Sequence, residues 1–124
     1  MEYTEAAQVV SASLAAGGDD LAAAGAMSLA LEAWRHLAGT DRAWDRFALE
    51  LLDIHSRLYQ DQCVAVEAEP PQDDGPQIRA AVTALVEQLA RHHERHALDD
   101  VDLAQRLDHD ACAQQLRRAA AALT

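Results

Sequence analysis

Lysine is absent. All ten basic residues of this 124-residue chain are arginine, against 21 acidic residues, giving a formal charge of −11. Binding to a phosphate backbone draws on a basic stripe that displaces counterions, so no nucleic acid partner is expected. Glycine (five), proline (three) and aromatic residues (two Trp, two Tyr, one Phe) are all scarce. Few breakers leave long uninterrupted segments, and few rings mean a core built mostly from aliphatic side chains. Cysteine occurs twice, at Cys63 and Cys112. That is too few for a disulfide framework, and both are expected to be reduced thiols that pack as small apolar residues. No apolar run approaches the ~18–20 residues needed to span a bilayer, so no membrane partner is expected. The start, Met1-Glu2-Tyr3-Thr4-Glu5, has no basic flank ahead of an apolar stretch and does not read as a signal peptide. A cytoplasmic location is the default expectation.

Alanine and leucine fill the space that these residues leave, with 28 and 16 copies. They supply helix propensity and surface to bury. A chain of 124 residues is expected to form one domain, 1–124. Its clustered breakers divide it into five helices. The first runs from about Thr4 to Ala16 and stops at Gly17-Gly18. The second follows Asp19 or Asp20, both good N-caps, and ends near Ala38 before Gly39. The third follows Thr40 or Asp41 and is expected to continue to about Ala68, because no glycine or proline interrupts it. A linker at 69–76 separates it from a fourth helix over roughly Pro76 to Ala97, and Asp99 and Asp102 open a fifth that ends near Leu123. No segment stands out as a β-branched, period-two strand. The expected fold is all-α: an antiparallel four-helix bundle with an additional N-terminal helix, five helices in all, as a monomer or a dimer.

Helical phase, at ~100° per residue, identifies the core. The third helix gathers Trp44, Phe47, Ala48, Leu51, Ile54, His55, Leu58, Tyr59 and Gln62 on one face. The fourth gathers Ile78, Val82, Leu85, Val86 and Leu89. In the second, Ala23, Ala24, Met27, Ala30, Leu31, Trp34 and Ala38 form a stripe of small residues with two large anchors. The fifth is two-sided, with Leu103 and Leu107 pointing one way and Leu116 and Leu123 nearly the other.

Six histidines invite a search for a site. His55 lies on the apolar face of the third helix, and the stripe of the fourth runs on into His92, His93 and His96. With the third and fourth helices antiparallel about the linker, His55 and His92 each lie about 13–16 residues from the turn, roughly 20–24 Å at 1.5 Å per residue. They then share a layer that Asp108 and His109 also approach. Imidazoles and a carboxylate from several helices are a pattern that bundle interiors use for metals. An imidazole at the end of an apolar stripe is also an ordinary boundary residue, and histidine near a helix C-terminus complements the helix dipole. The Glu-x-x-His repeats of di-iron bundles and the HExxH of zinc proteases are both missing.

The segment Trp34-Arg35-His36-Leu37-Ala38-Gly39-Thr40 loosely resembles the phosphorylated segment of histidine phosphotransfer domains, which carry Leu-Lys-Gly at the second, third and fourth positions after the histidine. Here Leu37 and Gly39 come one residue early, and no lysine is available to hold a phosphoryl group. Glu32, four residues ahead of His36, offers it a surface partner. Phosphate loops, nucleophile elbows and calcium loops are absent.

The first functional expectation is a small acidic interaction module, non-catalytic and without a cofactor, that binds a protein partner or itself. Its expected contact residues are Leu49, Leu52, Leu103 and Leu116, and Leu29 also falls on an outward phase. The alternative is a bundle that binds a metal or small ligand, with or without catalysis, through His55, His92, His96 and Asp108. Zinc or another divalent ion is the expected metal.

Overall fold

Three aspartates start three of the helices. Asp19, Asp41 and Asp102 accept hydrogen bonds from the backbone N–H groups of Ala22, Ala43 and Ala104 at 3.0, 3.0 and 2.9 Å. Each satisfies a donor that the first helical turn leaves unpaired. The computed structural model describes residues 1–62 and 64–124, so Cys63 lies outside the described residues. Five α-helices follow in order: α1 (Tyr3–Ala15), α2 (Asp20–Leu37), α3 (Arg42–Ile54), α4 (Pro76–Asp99) and α5 (Leu103–Ala122). α3 runs on into a π-helical turn, His55–Tyr59. There is no strand among the described residues, and the helices pack against one another. Gly39, just past α2, adopts φ +91°, a conformation that costs a residue with a Cβ but not glycine.

Most of the core is the one that phase predicts, although Ala38 and Gln62 are exposed and Trp34 and His55 are only half-buried. Trp44, Phe47, Leu51 and Ile54 of α3 are buried, as are Val82, Leu85, Val86 and Leu89 of α4 and Ala23, Met27, Ala30 and Leu31 of α2. Leu29 departs from the expected outward phase. It is buried, and its carbonyl accepts a 2.5 Å hydrogen bond from the Tyr3 hydroxyl of α1. α1 therefore covers the face of α2 that a bundle of the other helices would leave open. α4 packs against α1, α2 and α5, and α5 packs in turn against α3.

The third helix is shorter than its sequence suggests. It ends at Tyr59, and residues 60–62 and 64–75 return along the bundle without a helix. Val64, Val66 and Ala68 of this leg pack on the core, while Ala65 and Glu67 between them are exposed. That alternation is the mark of extended chain on a buried surface. Gly25 of α2 faces it, and a Cβ there would lie 3.4 Å from Val66 Cγ2, in van der Waals contact. The Glu69 N–H donates to the Met1 carbonyl at 2.9 Å.

This return leg changes the topology. Arg79, at the start of α4, donates to Asp41, at the start of α3, at 2.8 Å. At the other end Tyr59 meets His93. α3 and α4 thus run in the same direction, where a short linker between helices would have made them antiparallel. Arg79 is also held bidentately by Asp74 at 2.7 and 2.8 Å and lies over the Trp44 ring, 5.9 Å from its centroid. One guanidinium joins the start of α3, the end of the return leg and the start of α4.

Candidate functional site

The last two turns of α4 carry His92, His93 and His96, and both His92 and His93 are buried. Tyr59, on the apolar face that α3 sets, reaches them from the last residue of the π-helical turn. α5 contributes His109, and the first residue of α2 contributes Asp20. Together with Ala23, Leu58 and Gln62, the side chains of Asp20, Tyr59, His92, His93 and His109 line a cavity of about 130 Å³.

Two sets of contacts share this cavity. In the first, Tyr59 Oη lies 2.6 Å from His93 Nε2, and His93 Nδ1 lies 2.9 Å from His109 Nδ1. Burial raises the Tyr59 phenol well above its ordinary value, so it keeps its proton and donates it. Burial, reinforced by the charges that His92, His109 and His96 would carry, pushes His93 down to about 3. The neutral His93 ring then accepts at Nε2, carries its proton on Nδ1 and donates it to His109 Nδ1. The hydrogen bonds run in one direction, from buried phenol to half-buried imidazole.

In the second set, Asp20 Oδ1 stands 3.5 Å from His92 Nε2 and 3.6 Å from His96 Nε2. All three potential donor atoms lie within 4.8 Å of one another. Burial lowers His92 below the ordinary histidine value, the neighbouring His96 adds to this, and Asp20 opposes it. Ring contacts link the two sets: His92 meets His96 edge to face at 4.5 Å, and His96 stacks on His109 at 5.1 Å.

The residues expected from the sequence are only partly brought together. His92 and His96 meet. His55 does not reach them and instead borders a groove between α2 and the return leg, beside Glu32, Arg35 and Gln62. It fails to join their layer because α3 and α4 run parallel and the connection between them is long. Asp108 is exposed, and its neighbour His109 is the α5 residue that faces the cluster. Asp20 takes the carboxylate's place. In the sequence it reads as a helix cap, but Asp19 does the capping and leaves Asp20 free to turn toward α4. His36 lies elsewhere on α2, exposed and paired with Glu32 at 3.0 Å.

A second feature lies at the same end of the molecule. Leu98, Leu103 and Leu107 are 77, 66 and 61% exposed, and Val101 between them is fully exposed. Residues 103–108, the opening of α5, are exposed without exception. Of the other expected contact residues, Leu49 and Leu52 of α3 are also exposed, whereas Leu116 is completely buried beside Cys112 and Ala119. Leu116 belongs to the part of α5 that packs on α3 and α4, so the two-sided pattern of this helix reflects a free first half and a buried second half.

Comparison with family models, with curated proteins and with solved structures gives no match to this chain. No helix among the described residues is long and apolar enough to cross a membrane.

Proposed function

We propose that the chain is a non-catalytic interaction module that docks a cationic, amphipathic segment of another protein on the α4–α5 turn. The observation that carries this reading is the group Leu98, Val101, Leu103 and Leu107, all exposed within ten residues of chain. Clustered exposed apolar side chains mark interaction sites more often than scattered ones do. Asp99, Asp100, Asp102, Asp108 and Asp110 flank them in the chain, with Arg106 as the one arginine of that stretch, and its Nε is already bonded to the Ala97 carbonyl. An apolar strip between carboxylates complements a helix with one apolar and one basic face. The net charge of −11 accelerates such an encounter.

The same apolar group favours self-association as a second reading, the dimer that the sequence leaves open. Two copies would each bring the same carboxylates to the contact, which opposes it. A synthetic Lys/Leu amphipathic helix, titrated against the protein while its native mass is recorded, tests both. Binding is expected to weaken with salt, and to weaken at least about tenfold in Leu103→Ser/Leu107→Ser. Equal affinity for that variant overturns the reading. A native dimer that the same double substitution dissociates replaces it with self-association.

A further inference from the structure

Independently of any protein partner, we infer that Asp20, His92 and His96 form a binding site for one divalent first-row metal ion of the zinc class. Around a tetrahedral ion with bonds of about 2.0–2.1 Å, donor atoms stand roughly 3.3–3.4 Å apart. Asp20 Oδ1 lies 3.5 Å from one imidazole nitrogen and 3.6 Å from the other. Those separations exceed a normal hydrogen bond, so the carboxylate stands at a distance that suits a shared ion better than direct bonding. The largest separation within the trio is no more than 4.8 Å. Closing it needs a rotation of His96, whose side chain is 42% exposed and rests against the His92 and His109 rings.

The donor chemistry agrees with the geometry. His92 and His96 are four residues apart on one helix, so one helical face presents both nitrogens. Asp20 approaches from a different helix, which makes the site depend on the fold and not on local sequence. Two imidazoles and one carboxylate suit zinc, cobalt, nickel or ferrous iron, and suit calcium or magnesium poorly. Asp20 and His92 also line the cavity of about 130 Å³, which has room for water beside Tyr59, His93 and His109.

The test uses the full chain, prepared without an affinity tag and stripped with chelator, titrated with Zn(II) and separately with Co(II). One ion per chain is expected, and Co(II) should give the intense visible absorption of a low-coordinate site. Asp20 and His96 are exposed enough to replace without disturbing the core. Asp20→Ala and His96→Ala are each expected to weaken binding by at least about tenfold. His55→Ala and Asp108→Ala, which remove the other two residues suggested by the sequence, should leave the affinity unchanged. Absence of stoichiometric binding of either ion overturns the inference, as does binding that survives both Asp20→Ala and His96→Ala. Circular dichroism of each variant confirms that a lost signal reflects a lost donor and not a lost fold. Loss of peptide docking at the α4–α5 turn has no bearing on this outcome.

Discussion

Tyr59 and His93, 34 positions apart in the chain, are joined by a buried hydrogen bond of 2.6 Å between the phenol and Nε2. The phenol sits at the end of the π-helical turn, and His93 has no other donor at that nitrogen among the described residues. Tyr59→Phe keeps the ring and removes the proton donor. Leaving a buried acceptor unpaired costs about 1–3 kcal/mol. A urea denaturation midpoint lowered by that amount, with unchanged helix content, is the expected result.

The same cluster sets a pH dependence. A histidine in the unfolded chain titrates near 6.5, whereas burial holds His93 at about 3 in the fold. Between those values the unfolded chain binds a proton that the folded chain refuses. The stabilisation is therefore complete above about pH 6.5 and is lost progressively as the pH falls toward 3. His92 and His109 are shifted in the same direction, in both cases chiefly by burial. Asp41, Asp53 and Asp74, which hydrogen bonds hold below the ordinary carboxylate range, lose their contribution only below about pH 4. Denaturation midpoints at about pH 7.5 and about pH 5 should then differ through the histidines, and His93→Gln should flatten the difference.

Two leucines of one helix should answer the same substitution in opposite ways. Leu116 is fully buried and Leu103 is 66% exposed. Leu116→Asp places a charge in the core and is expected to cost more than about 4 kcal/mol, enough to unfold a domain of this size. Leu103→Asp should shift the thermal midpoint little, within about 0.5 kcal/mol. Thermal melts of the two variants, side by side, make the comparison.

Cys112 should be inert in the folded chain. It is fully buried, and burial pushes its thiol up to about 12, with only partial opposition from Arg57. Alkylation depends on the thiolate and on access. Peptide mapping after iodoacetamide treatment near neutral pH is expected to find Cys112 unmodified in native protein and modified in urea.

The parts of this fold that were legible in the sequence are those governed by local rules. Caps at Asp19, Asp41 and Asp102, the stop at Gly39, and the buried faces from Trp44 to Ile54 and Val82 to Leu89 follow from turn chemistry and period. What escaped depends on tertiary context. Nothing at 60–68 breaks a helix, yet Val64 and Val66 gain more by lying extended over Gly25 than by continuing α3. Their alternation with Ala65 and Glu67 was the available signal, and it is only five residues long. The histidine site was half legible for the same reason. His92 and His96 follow from spacing on one helix, whereas the choice of Asp20 over Asp108, and the exclusion of His55, depend on a chain direction that spacing does not encode.

The co-directional course of α3 and α4 has a consequence for how the molecule holds together. Because α4 sits against α1 and α2 while α5 sits against α3, the two stretches on either side of the 60–75 connector are wedged into each other like interlaced fingers. Severing that connector with a protease should yield a nicked species whose pieces co-migrate until denaturant is added, and such pieces are natural candidates for a split reporter.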